Sequence, residues 1–325
     1  MMPSTPTNTD QPLVVIATPV YNGEAFLRET MESVQAQTYP NLVHLVIDNA
    51  STDGTAQIIA DFMDAKIPVK CVKHETLLPQ MANWNSTIEH IDPSAKWFRL
   101  LCADDLMMPD AVAEMVAIGE SDSEIGVVGC IHDNNGEIEP PHWPEEQTVF
   151  KGPIAQRRFF DNCGLIIAPH MLIRTDALRQ TSPFFDEVNN AADTDAILRT
   201  LTDWKYGFCH KHLAHTRVHD ATVTSVDVAP KKLYLFDWFL YLHRYAESAY
   251  GPVEGAAMKR RYRRHYLRRL VRMRRSGIDK SVWDTHMERL ERLGEKPSAF
   301  DFVDSAIDRV LIKIGIRQDW MPYPW

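Results

Sequence analysis

Trp97 to Pro109 reads W-F-R-L-L-C-A-D-D-L-M-M-P, and this stretch decides the fold. An apolar run of strand character passes directly into two adjacent acids, Asp104 and Asp105, and Pro109 closes the segment. In an open parallel sheet, strand ends deliver polar side chains to a ligand crevice. Two hard carboxylates at such an edge suit Mg²⁺ or Mn²⁺. A solvated, Asp-rich turn has the same composition, so the flanking segments must decide between the two.

Those segments favour the sheet. Leu13–Val20 (L-V-V-I-A-T-P-V) is apolar almost throughout, as a strand buried on both faces requires. Glu24–Gln37 places Phe26, Leu27, Met31 and Val34 at helical spacing. Val43–Ile47 is a second strand, running into Asp48-Asn49. A helix follows from Thr52-Asp53-Gly54-Thr55, with Ser51, Thr52 or Asp53 as its cap. Val69–Lys73, Gln80–His90 and Trp97–Cys102 continue as strand, helix and strand. Such repeats with short connections predict an α/β fold, a mostly parallel sheet flanked by helices. Tyr21-Asn22, Asp48-Asn49 and Asp104-Asp105 then meet along one edge. Ile125–Ile131 reads as a strand, Asn134 to about Arg157 as loop, Leu165–Arg174 as strand and Asp193–Leu201 as helix. From Lys231 onward the pattern is helical, a C-terminal appendage. Neither G-x-G-x-x-G nor a P-loop occurs.

The 325 residues, 45% hydrophobic and 24% charged, suffice for one large domain or two smaller ones. No apolar run approaches a membrane span. Residues 1–11 are polar and proline-rich without a signal core, and read as a disordered lead-in. The five cysteines form no C-x-x-C pair, which argues against disulfides and cysteine zinc sites and for a cytoplasmic setting. The net charge is −9, yet Met258–Arg275 holds ten Lys/Arg and no acid. On a helix, Tyr262, Tyr266, Leu270 and Met273 share one face and arginines cover the rest. Residues 258–275 therefore suit an anionic membrane surface, the acidic catalytic domain or a second subunit. The first choice implies peripheral attachment at the inner face of the membrane. Nucleic acid is not expected, because no nucleic-acid module accompanies the helix. The tail Asp319–Trp325 (D-W-M-P-Y-P-W) carries aromatics that need a docking surface.

Four pieces, in order, resemble one family. They are T-P-V-Y-N-G-E…S-V-Q-A-Q-T-Y-P-N (Thr18–Asn41), V-I-D-N-A-S-T-D-G-T (Val46–Thr55), L-C-A-D-D-L-M-M-P and F-F-D-E-V-N-N-A-A-D-T-D-A-I-L-R (Phe184–Arg199). Together they resemble the inverting family 2 glycosyltransferases of the GT-A fold, over about residues 12–225. His215–Ser225 is similar to that family's R-x-H-x-x-S-x-S element. The resemblance implies a GT-A domain over 12–228, with a nucleotide-binding half (12–133) and an acceptor half (134–228), followed by a helical region at 229–325. It implies metal-dependent, inverting sugar transfer from a nucleotide-diphosphate sugar to a hydroxyl on a glycan or lipid-linked acceptor, as in surface polysaccharide synthesis.

Carried over, the resemblance puts Pro19, Tyr21 and Glu24 in the base pocket and Asp48 and Asn49 on the base, with Asn83 and Asn85 as further nucleotide contacts. Asp104 would touch the ribose or donor sugar, and Asp105 and His219 the Mg²⁺ or Mn²⁺. Asp193 would be the general base, since the acceptor hydroxyl must lose its proton as it attacks, with Asp195 as the alternative. Asn49, Cys102 and Ala192 stand where the family usually has acids. These departures keep open a non-catalytic sugar-nucleotide-binding or scaffold protein of the same fold. A nucleotidyltransferase lacks support, because no Gly- and Lys-rich pyrophosphate loop is present. The histidines His210, His212, His215 and His219 also admit a zinc reading. His170, His142 and Trp143 suit either the acceptor side or local packing, and Trp84 suits the core.

Overall fold

Valine and isoleucine dominate β1 (Val14–Val20), and all seven of its residues are buried, as the apolar run requires. A computed structural model describes residues 11–138, 143–161, 166–186, 192–219 and 228–317. The lead-in before Gln11, Pro140, Pro141, His142 and the aromatic tail lie outside the described residues.

The order continues α1 (Leu27–Gln35), β2 (Leu42–Asp48), α2 (Thr55–Asp61), β3 (Val69–Lys73), α3 (Gln80–Glu89), β4 (Trp97–Leu100), β5 (Leu106–Met107) and α4 (Ala111–Glu120). Then come β6 (Ile125–Asn134), β7 (Glu137–Ile138), β8 (Val149–Phe150), α5 (Gly152–Phe160), a 3₁₀ turn at Ala168–His170, β9 (Leu172–Arg174), α6 (Thr175–Leu178), α7 (Ala192–Thr200) and β10 (Lys205–Thr216). Where the sequence reads as loop, between Asn134 and Arg157, the chain forms β7, β8 and most of α5. Two-residue strands are too short to show a period. In the described part (166–174) of the strand expected at Leu165–Arg174, only β9 is strand, because Ala168–His170 forms the 3₁₀ turn around Pro169; Leu165 lies outside the described residues.

The sheet order is β3-β2-β1-β4-β9-β6-β10-β5, with β7 beside β6 and β8 beside β10. β1 to β4 run parallel, β9 is antiparallel to both β4 and β6, and β10 is parallel to β6. The long strands therefore all point one way, and only short strands are reversed. The register pairs Val20 with Asp48 and Asp48 with Lys73, so the polar strand ends do share an edge. Trp97 anchors this half and is fully buried. A Cβ on Gly119 of α4 would lie 2.4 Å from its ring, so the helix reaches the sheet only through a glycine there. Burial of each such large side chain contributes ~1.5–3 kcal/mol.

The chain divides into two units: Met1–Gly152, Gly164–Val188 and Ala192–Val218 form the first, and Pro153–Cys163, Asn189–Ala191 and His219–Trp325 the second. Described helices of the second are the body of α5, α8 (Ala229–Lys231), α9 (Tyr234–Tyr250), α10 (Pro252–Arg275), α11 (Lys280–Arg292) and α12 (Ala299–Lys313). Tyr262, Tyr266 and Leu270 are buried on one face of α10, as their spacing predicts. The Tyr262 hydroxyl donates to the Leu235 carbonyl (3.0 Å), and Tyr266 meets His286 Nδ1 at 2.6 Å. No described helix is long and apolar enough to cross a membrane.

Candidate active site

Two signature loops at the sheet edge are laced together by their own polar groups. Asn22, with φ at +51°, turns the chain after β1; its N–H donates to Ser51 Oγ and its Oδ1 accepts from the Thr52 N–H, each at 2.9 Å. Gly23 N donates to Thr55 Oγ1 (2.8 Å), Glu24 N to Asp53 Oδ2 (3.0 Å), and Gly54 N to Glu24 Oε2 (3.1 Å). A Cβ on Gly54 would lie 2.8 Å from the Glu24 carboxyl carbon, so a larger residue there would push that carboxylate off the Gly54 N–H. Glu24 thus joins the two loops, and Tyr21 beside it is left half exposed.

Asp48 is buried at the end of β2; its Oδ1 accepts from Ser51 N (2.9 Å) and Lys73 Nζ lies 3.7 Å from its Oδ2. Asn49 is also buried: its Nδ2 donates to the Leu78 carbonyl (3.0 Å) and its Oδ1 accepts from the Leu78 N–H (2.9 Å). An aspartate accepts but does not donate, so the family's usual acid could make only one of these bonds. Asn49→Asp is expected to lower stability by ~1–3 kcal/mol, read as a lower thermal midpoint, because the Leu78 carbonyl would face a carboxylate. An unchanged midpoint would remove Asn49 from this positioning role. An open cleft of about 430 Å³ lies beside this pair, lined by Ala50, Ser51, Lys73, His74 and Glu75. Sequence reasoning passed over Lys73, His74 and Glu75; Lys73 closes β3 in register with Asp48, and His74 and Glu75 follow it.

Beyond β4 the chain turns through Cys102–Asp105, with Asp105 N donating to the Cys102 carbonyl at 3.1 Å. Donor atoms of Cys102, Asp104 and Asp105 lie within 4.8 Å of one another, the one such set of metal-type ligands among the described residues. Asp105 is buried, and that burial, reinforced by the Asp104 charge, pushes its carboxyl up to about 7. The Arg217 N–H donates to its Oδ1 at 3.1 Å, and buried Arg99 stands near. A charge inside the apolar strand W-F-R-L-L was the sequence signal for Arg99, and it went unused. A buried carboxyl raised in this way, with a second acid beside it, fits a hard divalent cation. The Cys102 thiol is pushed well above its usual range by burial and by Asp105, Asp104 and Asp193, so it stays protonated and offers no thiolate.

Asp193 lies near enough for its charge to act on the Cys102 thiol. It is half-buried in the first turn of α7, and desolvation raises it to about 6, with Asp195 adding to the shift. Asp195 is fully buried with Arg199 Nη1 3.6 Å from its Oδ2, and Arg199 also donates to the Phe184 carbonyl. Asn85 clamps the segment leading there: its Nδ2 donates to the Phe185 carbonyl (2.8 Å) and its Oδ1 accepts from the Phe185 N–H (2.9 Å). Buried Asn83 keeps an amide oxygen without a hydrogen-bond partner. Trp84 packs edge-on to Phe185.

Other expectations resolve into packing. His170 is buried against Thr216 Oγ1 at 2.6 Å and beside the His132 ring, which with desolvation keeps it neutral. Trp143 is buried among Phe150, Tyr206 and Phe208, so it packs the loop. His212 and His215 both bind the Asp133 carboxylate, at 2.6 and 2.7 Å, and no zinc-type set forms among the described histidines. His219 is half-buried and falls in the second unit.

A mostly parallel sheet whose strand ends border an open cleft and an acidic cluster defines a GT-A-type α/β protein. The chain belongs to glycosyl transferase family 2, whose family model matches residues 15–181. It is 25% identical over 252 residues to an uncharacterized glycosyltransferase of Rickettsia typhi, covering 77% of each chain. Its fold is similar to that of S. aureus TarS 1–349 solved with UDP-GlcNAc, with a TM-score of 0.63, 14% identity, and coverage of 92% of this chain and 91% of that one. It is also similar to the mannosyltransferase PcManGT of Pyrobaculum calidifontis solved with GDP-Man and Mn²⁺, with a TM-score of 0.58, 15% identity, and coverage of 94% and 81%.

Proposed function

We propose that this glycosyltransferase is metal-dependent and inverting, moving a sugar from a nucleoside-diphosphate donor to a hydroxyl of a glycan or lipid-linked acceptor. The observation that carries the reading is the cluster of Cys102, Asp104 and Asp105, whose donor atoms lie within 4.8 Å of one another, with Asp193 near enough for its charge to act on the Cys102 thiol. Two of these acids are crowded enough to call for a cation, and the third stands half-exposed for a proton.

In this reading the nucleoside lies along the Lys73–Glu75 cleft, with Pro19, Tyr21, Asp48 and Asn83 as further contacts and with Glu24 and Asn49 holding the loops beside it. Asp104 faces the donor sugar, and Asp105 with Asp104 holds Mg²⁺ or Mn²⁺. When bound, the ion offsets charge on the departing diphosphate. The Asp193 carboxylate takes the proton of the acceptor hydroxyl while that oxygen forms its bond to the anomeric carbon. The bond from that carbon to the diphosphate oxygen breaks on the opposite face, and the electron pair leaves with the nucleoside diphosphate. The engagement of Asp195 by Arg199 supports Asp193 as the base. The two similar structures, solved with UDP-GlcNAc and with GDP-Man and Mn²⁺, support the donor class and the ion. The chemistry is assigned to 12–228 and a supporting role to 229–325, with the enzyme acting in the cytoplasm at the inner face of the membrane.

Thermal stabilisation by UDP-, GDP-, dTDP- and CMP-sugars, with and without Mn²⁺, tests this. A shift for one diphosphate donor, lost on chelation, is expected and names the base. No shift for any donor would favour the non-catalytic reading, and a shift for the CMP-sugar alone would overturn the diphosphate assignment.

A further inference from the structure

The basic helix, whose sequence suits a membrane surface, the catalytic domain or a second subunit, pairs several of its arginines with α12. Arg263 pairs with Asp301, Arg264 with Asp304 (2.6 Å) and Arg268 with Asp308, and Arg263 Nε also lies 3.3 Å from Glu295. These pairs advance in step along both helices, so α10 and α12 run parallel. The polar face of α12 is therefore the inward one, and its apolar face is left outside. Phe300, Val303, Ile307, Val310 and Ile314 follow one another at spacings of three and four and are exposed by 76, 55, 52, 56 and 61%. A helix normally buries such a stripe.

The parallel pairing also brings the C-terminal ends of both helices together. Exposed Arg272, Arg274 and Arg275 from α10 then stand at the same end as exposed Arg309, Lys313 and Arg317 from α12. Asp308, which Arg317 also meets at 2.8 Å, is buried. An apolar stripe flanked by cations at one end matches an anionic lipid surface in both polarity and charge. Five stripe residues fall well short of the ~20–30 residues a side of a standard protein interface, which disfavours a second copy of the chain.

We infer that the exposed stripe of α12, with the cationic end it shares with α10, docks this protein on an anionic membrane surface. The inference is independent of the transfer chemistry.

The test is co-sedimentation of the full chain with vesicles of phosphatidylcholine alone and with ~30% phosphatidylglycerol. Binding to the anionic vesicles is expected to weaken at least ~10-fold in Ile307→Asp/Val310→Asp. It should weaken in Arg309→Glu/Lys313→Glu as well, with circular dichroism and thermal midpoints unchanged. Should the aspartate pair fail to fold, Ile307→Ser/Val310→Ser reads the same stripe. Absence of binding, equal binding to both vesicle types, binding indifferent to the stripe variants, or loss only on deleting 318–325 would overturn the inference. So would self-association, seen by light scattering and abolished by the stripe variants, in a chain that ignores vesicles.

Discussion

Asp193→Asn should lower turnover by ~10²–10⁴-fold while leaving donor affinity within about threefold. The amide keeps the size and the hydrogen-bonding reach of the side chain and loses only the ability to take a proton. The carboxyl sits at about 6, raised first by its burial and then by Asp195, so the ionised base accumulates only above that pH. Turnover in the parent enzyme should therefore fall about tenfold per unit below pH 6 and level off above it. The acid limb should disappear from whatever residual rate the variant retains. Turnover against pH and donor titration by fluorescence or calorimetry check both halves. Equal loss of turnover and donor binding would instead mark Asp193 as part of the donor site. Normal turnover would pass the role to Asp195, against its ion pair with Arg199.

The parts of this site legible in sequence are those fixed by local pattern. β1, β2 and β4 are short apolar runs that end in polar residues, and a parallel sheet places such ends together without reference to any distant contact. What stayed hidden depends on partners far along the chain. Asn49 looks like a departure from an acidic motif until Leu78, 29 residues on, is seen to need both a donor and an acceptor. The reversal of β9 rests on three residues that fit between β4 and β6, which no periodicity could announce. The basic helix was legible as amphipathic, and its buried tyrosines are where the pattern puts them. Its arginines found their acids on a helix about forty residues later, which inverted the faces of α12. Hydrophobic spacing specifies that a helix has an apolar face; it does not specify that the face is turned inward.

Asp105→Asn should separate stability from function. In the parent the carboxyl sits at about 7, first because it is buried and then because Asp104 is beside it, against an ordinary value of 3.8. An acid raised on folding holds its proton more tightly in the native state than in the unfolded chain. Its contribution favours the fold below about pH 4 and is lost as pH rises through about 7, by up to ~4 kcal/mol for a shift of this size. The metal-free parent should thus melt at progressively lower temperature between those limits. The asparagine variant, which carries no charge and can still accept the Arg217 N–H, should lack that decline and be the more stable of the two at pH 8. The order should reverse in Mn²⁺ with donor present, since a ligand that binds only the folded state adds stability that grows with the logarithm of its concentration relative to its Kd. The parent should gain and Asp105→Asn should not, with donor binding reduced to the level of the chelated parent. Identical pH dependence in the two metal-free proteins would mean the Asp105 charge is already compensated, and the case for a cation would then rest on Asp104 alone. Gain of stability with retained Mn²⁺-dependent donor binding would move the ion off Asp105. The cost of leaving that carboxylate buried beside another is, on this account, what the enzyme carries so that a cation can relieve it.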